Sequence, residues 1–260
     1  METKILHLKT TQINAFNASF KLMAKYISEC YLCFMKPDPT INQKGGLYIR
    51  VFSSDRSKLF ELNLDADKFE EFHCQKTKLR CGIDLKEFIE VLNKLNNGNE
   101  LCIYVNKNSP HLIHLNNDTG VNLVVNVVDI NNNFEPPMLC AQFTSHWIVD
   151  FYKYNECLCY LLKEYPDISA VNIKQINNNL IFSANNMDEI SYTFEDESNS
   201  IANQNASVGT FEIKSLNLPY LDYLCNQFEI YFKNDFPLTF AIPVGNLGKM
   251  HILITPMDIN

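Results

Sequence analysis

The chain has 260 residues, of which 46% are hydrophobic and 20% charged, and its formal net charge is −8. These values are typical of a globular protein long enough for two domains with cores of their own. No apolar run approaches the length of a membrane-spanning helix and the first residues lack the apolar core of a signal peptide, so we predict a soluble intracellular protein without a membrane partner.

The chain begins with a predicted strand and a long amphipathic helix, together residues 3–27. Apolar residues recur in the helix at steps of three and four, which predicts one buried stripe. The opposite face carries Asn14, Asn17, Lys21 and Lys25 and no acidic residue. We therefore expect this helix to lay one side on a sheet and to present the other to solvent or a partner.

A shorter helix is predicted near residues 84–96, after several short strands. Asp84 precedes its apolar stripe and Glu87 follows three positions later, which is the spacing of a capping box. Its exposed face carries Lys86 and Lys94.

The second half of the chain repeats this order. A strand and a long helix are predicted at about 139–165, then short strands and a short helix near 215–225, so the long helices begin about 135 residues apart. Self-similarity at this scale predicts two α+β halves built to one plan. We place the second long helix at 146–164, with Trp147 and Phe151 in its buried stripe.

Cys30 and Cys33 have the spacing of half a zinc site. They lie in an apolar stretch that reads as a buried strand, where residues three apart point to opposite faces. Another close pair, Cys157 and Cys159, falls within a predicted helix. We therefore interpret these cysteines as buried thiols rather than metal ligands. Nine cysteines without the spacing of a disulfide framework favour a reducing compartment. We predict no cofactor.

Catalytic motifs are missing from the sequence. It contains no phosphate-binding glycine loop, no nucleophile elbow and no His-Glu metal helix. His111 and His114 flank an apolar pair in a strand-like stretch, which favours surface or packing roles. We therefore predict no catalytic residues and no enzymatic activity.

Six segments carry a family resemblance, and they are residues 47–59, 72–74, 82–85, 92–95, 171–183 and 236–256. Taken in order, they resemble proliferating cell nuclear antigen (PCNA), the sliding clamp of eukaryotic replication. The resemblance implies an α+β DNA-clamp fold with similar domains at 1–128 and 139–260 and a linker at 129–138. Helices would form the inner face and antiparallel sheets the outer face.

The same resemblance implies a function. Three identical subunits would close into a ring around duplex DNA without reading its sequence, as a DNA polymerase processivity factor. The partners would be DNA polymerase and other replication or repair clients, and the resemblance allows for a clamp loader. The location would be the nucleus, or a cytoplasmic replication site if the chain is viral.

The resemblance also assigns DNA-facing residues, which are lysines of the predicted helices. They are Lys21, Lys25, Lys86, Lys94, Lys153, Lys163 and Lys214. The alternative interpretation is that these lysines only solvate their helix faces.

A pocket for short client peptides is carried over in the same way, with Arg56 at its rim. Its other residues are Phe52, Leu59, Phe134, Met138, Pro237, Leu253, Thr255 and Pro256. Leu253 replaces an aromatic residue common in the family, and the loop 53–56 shifts its acidic residue, so the usual peptide preference is in doubt.

The resemblance also places the subunit contact between two edge strands, residues 121–128 and 189–194, which would pair antiparallel. The first is β-branched and uncharged, a composition that promotes aggregation when an edge stays exposed. The interface residues would be Val121, Leu123, Val125, Val127, Ile190, Tyr192 and Phe194.

Two alternatives stay open. The chain could be a clamp-fold interaction protein that does not encircle DNA as a homotrimer, like the late-transcription-factor relatives of large DNA viruses. It could also be one subunit of a heterotrimeric checkpoint-type clamp. Mass in solution separates these possibilities best.

Overall fold

The computed structural model describes residues 3–130, 136, 143, 146–176, 179–184, 191–195, 207–234 and 236–257. The chain divides into two compact units, Met1–Pro136 with Pro243–Met250, and Pro137–Ile242 with His251–Asn260. The first division falls inside the expected linker, 129–138. Residues 243–250, which the sequence assigns to the C-terminal domain, are grouped with the first unit.

The first half of the chain is an alternation of strands with two helices. Its elements are β1 (Lys4–Thr10), α1 (Ile13–Ala24), β2 (Glu29–Met35), β3 (Gly46–Phe52), β4 (Lys58–Asp65), β5 (Glu71–Cys74), β6 (Lys78–Asp84), α2 (Leu85–Leu95), β7 (Leu101–Asn106), β8 (Leu112–Asn117) and β9 (Asn122–Asn126). One sheet has the order β5-β1-β7-β8-β9, and β6, β2, β3 and β4 are neighbours in another. The pairings are antiparallel.

The second half follows the same plan in its described residues. Its elements are β10 (His146–Asp150), α3 (Phe151–Glu164), β11 (Ala170–Ile176), β12 (Asn179–Ala184), β13 (Ser191–Glu195), β14 (Ser207–Glu212), α4 (Ile213–Leu216), β15 (Gln227–Tyr231), β16 (Leu238–Val244) and β17 (Gly248–Ile254). A four-stranded antiparallel sheet has the order β13-β12-β11-β14. The predicted α+β repeat is therefore confirmed.

Aromatic side chains hold the helices in each unit. In the first unit, the ring of Phe20 on α1 lies 4.9 Å from those of Phe16 on α1 and Phe88 on α2, and all three are fully buried. In the second unit, the buried Tyr154 of α3 packs edge-on against Phe228 and donates its hydroxyl to the Leu216 carbonyl at 2.7 Å. Burying each such side chain contributes about 1.5–3 kcal/mol.

The N-terminal cap of α2 was predicted correctly. The backbone N–H of Glu87 donates to Asp84 Oδ1 at 2.8 Å. This bond satisfies one of the donors that a helix start leaves unpaired, which is typically worth about 1 kcal/mol. The helix Leu85–Leu95 agrees with the predicted range to one residue at each end.

The predicted start of the second long helix, at 146, was wrong. Residues His146–Asp150 form strand β10, so Trp147 is buried in a strand and not in the helix. The helix starts at Phe151 because the Asp150 carboxylate accepts the backbone N–H groups of Tyr152 and Lys153, at 2.9 and 3.2 Å. The β-branched Ile148 and Val149 favour a strand before this cap.

The predicted fourth helix, near 215–225, was also wrong. The structure has one helical turn, Ile213–Leu216, and a separate 3-10 turn, Leu221–Tyr223. The helix ends before Pro219 because a proline disfavours helical conformation in the residue that precedes it. Leu221 and Leu224 are both buried.

The cysteines behave as the strand pattern predicts. Cys30 is buried and Cys33 half-buried on opposite faces of β2. Burial raises the pKa of the Cys30 thiol well above its usual range. Within the described ranges, no three His, Cys, Asp or Glu side chains are grouped so that they could hold a metal ion. No helix in the same ranges has the length and apolarity needed to cross a membrane.

Candidate nucleic-acid and subunit interfaces

The seven predicted DNA-facing lysines are accessible on the helices. Lys21 is half-buried, and the other six are exposed: Lys25, Lys86, Lys94, Lys153, Lys163 and Lys214. In the part of the chain that the structure describes, none of the seven lies within 4.0 Å of a carboxylate oxygen. Their charges are therefore available to an anionic partner.

Two of these lysines line an open cavity of about 560 Å³ in the first unit. Lys25 follows the end of α1 and Lys86 lies in the first turn of α2, and residues 53–55 complete the wall. Asp84 and Asp55 also line the cavity, but the first caps α2. The second accepts hydrogen bonds within its own loop, so neither acid is paired with a lysine of the cavity.

The Asp55 carboxylate is held by serines. It accepts a hydrogen bond from the Ser53 hydroxyl at 2.6 Å, and from the backbone N–H and hydroxyl of Ser57 at 3.0 and 2.8 Å. These bonds, with that from Ser53 the largest cause, lower the pKa of Asp55 to about 2. The loop between β3 and β4 therefore has a defined shape and a fixed negative charge.

Asn17 is buried, which corrects its predicted place on the exposed face of the first helix. Its side chain is 1% exposed because α2 packs over it. Its Nδ2 donates to Asn93 Oδ1 at 3.1 Å and to Asn96 Oδ1 at 3.4 Å. The sequence of α1 alone carries no sign of this polar contact between the helices.

The strands expected to form the subunit contact lie at the edges of their sheets. β9 ends the five-stranded sheet, and β13 ends the four-stranded sheet. The backbone N–H of Asn117 donates to Val121 and that of Val127 to His111, at 3.2 and 2.9 Å. Because hydrogen-bonded pairs alternate in an antiparallel ladder, Val124 opposite His114 is in a non-hydrogen-bonded pair. Its N–H and C=O therefore point away from β8.

The side chains assigned to this contact differ in exposure. Of the assigned residues, Val121 is 37% exposed, and Leu123, Val127 and Tyr192 are half-buried. Val124, in the same strand but not among the assigned residues, is 44% exposed. Val125 and Phe194 are buried at 0% and 6%, so their side chains face the core of their own unit. Val125 faces the core because α2 covers that side of β9. Ile190 lies outside the described residues.

The predicted client-pocket residues of the first unit lie around the β3–β4 turn. Phe52 is half-buried and pairs with Leu59, which is 2% exposed and belongs to the core. Arg56 is exposed and has a left-handed backbone, with φ of 59°. Phe134 and Met138 lie outside the described residues.

In the second unit, the predicted pocket residues are divided between core and surface. Leu253 is 7% exposed, so most of its side chain packs inside this unit. Pro237 is half-buried, and Thr255 and Pro256 are exposed. These three keep surface available to a partner.

Curated relatives of the chain include named sliding clamps. A "Probable DNA polymerase sliding clamp" of Acanthamoeba polyphaga mimivirus is 27% identical over 99% of this chain and 63% of its own length. A "Probable DNA polymerase sliding clamp 1" of Paramecium bursaria Chlorella virus 1 is 22% identical over 97% of both chains. An uncharacterized mimivirus protein, L823, is 20% identical over 99% of this chain and 80% of its own length. This chain thus spans less than two thirds of the first relative.

Solved PCNA structures have the same fold. A PCNA2–PCNA3 complex from Sulfolobus tokodaii matches with a TM-score of 0.77 and 19% identity, over 96% of this chain and 98% of that one. PCNA from Entamoeba histolytica matches with a TM-score of 0.80 and 16% identity, over 98% and 100%. No protein-family model matches the chain. The predicted clamp fold and the resemblance to a divergent, virus-related PCNA are confirmed.

Proposed function

We propose that this chain, which has the PCNA fold, is a sliding-clamp subunit that acts as a DNA polymerase processivity factor. The main support for the proposal is a pair of edge strands, each beside a helix whose lysines form no ion pair with any described residue. α2 packs against β9, and α3 packs against β13. Pairing β9 of one subunit with β13 of the next would give hydrogen-bond partners to the free backbone groups of both edge strands. Three such contacts would close three subunits into a ring.

The charge of the helices supports an inner face that tolerates DNA. The four helices together carry six lysines and four glutamates, a net charge of +2, whereas the whole chain has −8. A closed ring holds DNA topologically and needs only weak phosphate contacts, which carry no sequence information. Duplex DNA of any sequence is therefore the proposed ligand.

Clients would be DNA polymerase and other replication or repair proteins that dock by short apolar and aromatic segments. Phe52 and Arg56 beside the β3–β4 turn are the candidate contacts in the first unit. The proposed role is that of a non-enzymatic scaffold, with a clamp loader as a further partner. Its location would be the site of viral DNA replication, in the nucleus or the cytoplasm.

A heteromeric clamp is the second candidate. Two relatives come from one virus, a named sliding clamp and L823, and each matches 99% of this chain. One of the solved structures is a complex of two different PCNA chains. This chain would then need a second, related chain to complete its ring.

Mass in solution and primer extension test the proposal together. The homotrimer should have about three times the 30.0 kDa mass of the chain and should lengthen the products of a clamp-dependent polymerase on linear primed DNA. A trimer that forms only after a related chain is added would favour the heteromer. A chain that stays monomeric at high concentration and leaves product length unchanged would refute the clamp proposal.

A further inference from the structure

The contact between α1 and α2 contains an unusual polar residue. Asn17 is 1% exposed, and its Oδ1 has no hydrogen-bond partner in the described part of the chain. Burying an amide oxygen without a partner is costly, so an alanine here, like Ala15 and Ala18 nearby, would avoid that cost. Helix packing alone therefore does not account for the asparagine.

Asn17 hydrogen-bonds to two exposed amides. Its Nδ2 donates to the Oδ1 atoms of Asn93 and Asn96. In a planar amide, the NH2 group lies on the opposite side of Cγ from the oxygen, so both NH2 groups turn away from Asn17. Asn93 and Asn96 are exposed, and neither Nδ2 donates to another described residue.

Two lysines lie near these amide donors along the helices. Lys21 lies one turn after Asn17 on α1, and Lys94 follows Asn93 on α2. α1 contains no acidic residue, and Glu90 is one turn before Asn93 and Lys94 on α2. The surface thus offers amide and ammonium donors, which suits a ligand that only accepts hydrogen bonds.

We propose that Asn93 and Asn96 form a phosphate-binding site for the DNA backbone, with Asn17 as the positioning residue. Asparagine side chains commonly contact backbone phosphates in protein–DNA complexes. The inference rests on the proposed function, because it requires α1 and α2 to face DNA. It adds neutral contacts to an inner face that has few lysines.

A purely structural role for Asn17 makes a different prediction. A buried polar residue can specify how two helices align. Asn93 and Asn96 would then contribute to stability, and their removal would leave DNA affinity unchanged. Affinity and stability therefore have to be measured on the same variants.

The first experiment measures duplex affinity against salt concentration for Asn93→Ala and Asn96→Ala. Each loss of a neutral donor should weaken binding about threefold to tenfold. The slope of log affinity against log salt should stay unchanged, because a neutral donor releases no counterion. Lys21→Ala should lower that slope, and Asn97→Ala, an exposed neighbour that does not contact Asn17, should change neither quantity.

A second variant keeps the helix contact and removes the donor. In Asn93→Asp, a carboxylate oxygen can still accept the bond from Asn17, so thermal unfolding should show a folded protein. Its duplex affinity should fall further than that of Asn97→Asp, which adds the same charge nearby. Equal losses in these two variants, with wild-type affinity in Asn93→Ala and Asn96→Ala, would overturn the inference and leave the clamp proposal intact. A wild-type trimer with no duplex affinity would overturn both.

Discussion

Val128 donates its backbone N–H to the Gly82 carbonyl at 2.9 Å, and its own carbonyl oxygen occupies the space that a side chain at Gly82 would need. Gly82 lies in β6, an edge strand, so the chain after β9 runs along that edge. Two residues later, the Ile130 carbonyl accepts the Tyr31 hydroxyl at 2.9 Å. The segment that leads into the expected linker thus packs closely against the backbone of Gly82.

Gly82→Ala should displace this segment. The added Cβ would collide with the backbone of Val128, so we expect a loss of about 1–3 kcal/mol in the free energy of unfolding. Hydrogen exchange should speed up at the amides of Val127 and Val128. Tyr31→Phe removes a single hydrogen bond and should cost about 1 kcal/mol. Unchanged exchange in Gly82→Ala would contradict the close approach.

Local sequence patterns were sufficient to predict an element whose end is fixed by residues close to it in the chain. Asp84 caps α2 as its spacing with Glu87 predicts, because a capping box is a contact within four residues. Trp147 shows the limit of such patterns. Its spacing from Phe151 continues the helical stripe, but pairing of β10 with β15 makes it a strand residue.

The position of α2 accounts for two side chains whose burial the sequence did not predict. This helix covers both Asn17 on α1 and Val125 on β9. The pattern of a single element predicts which face is apolar, but not which polar residue a second element will cover. The exposure of the lysines was easier to predict, since long charged side chains are rarely buried.

Val124→Pro tests the subunit contact. The Val124 N–H points away from β8, so a proline there would remove a donor needed by a neighbouring subunit while it spares the ladder within the chain. We expect monomers with nearly wild-type thermal stability. Leu123→Pro is the contrasting variant, because residue 123 belongs to a hydrogen-bonded pair with Leu115 and its loss should destabilise the fold. An unchanged trimer mass in Val124→Pro would exclude β9 from the interface.

Lys21→Ala with Lys25→Ala tests the electrostatic part of DNA binding. Removing both charges should lower duplex affinity and reduce the slope against log salt by about 0.9 for each phosphate that a lysine no longer neutralises. The matched control is Lys36→Ala with Lys107→Ala, which removes the same charge from exposed positions that follow strands β2 and β7. If both pairs give the same slope as the wild type, the helix lysines only solvate their faces.

Asp55→Asn tests the β3–β4 loop through its pH dependence. The folded pKa of Asp55 is about 2, below the usual value near 3.9 in an unfolded chain. The ionised carboxylate therefore stabilises the fold fully above about pH 4, and this contribution is lost as the pH falls through 2. The difference in unfolding free energy between wild type and variant should shrink over that range, by less than about 1 kcal/mol because the residue is exposed.

The Ser53→Ala variant checks the cause of this shift. The Ser53 hydroxyl provides the largest lowering of the pKa of Asp55, so its removal should raise the pKa measured by carboxyl NMR titration. An unchanged pKa would mean that the serine hydrogen bond does not hold the carboxylate in solution.

Phe52→Ala tests client docking without disturbing the core. Phe52 is half-buried, and truncation of an aromatic anchor in an interface commonly costs about 1.4 kcal/mol or more, which is about tenfold in affinity. Polymerase-derived peptides with apolar and aromatic anchors should therefore bind about ten times more weakly, while the mass in solution stays that of the wild type. Leu59→Ala, across the strand pair, is the contrasting variant: Leu59 is buried, so its truncation should lower the free energy of unfolding by about 2–5 kcal/mol. Titration of one peptide into both variants, beside urea unfolding, separates the two roles. Wild-type peptide affinity in a folded Phe52→Ala variant would show that clients dock elsewhere, even if the ring assembles as proposed.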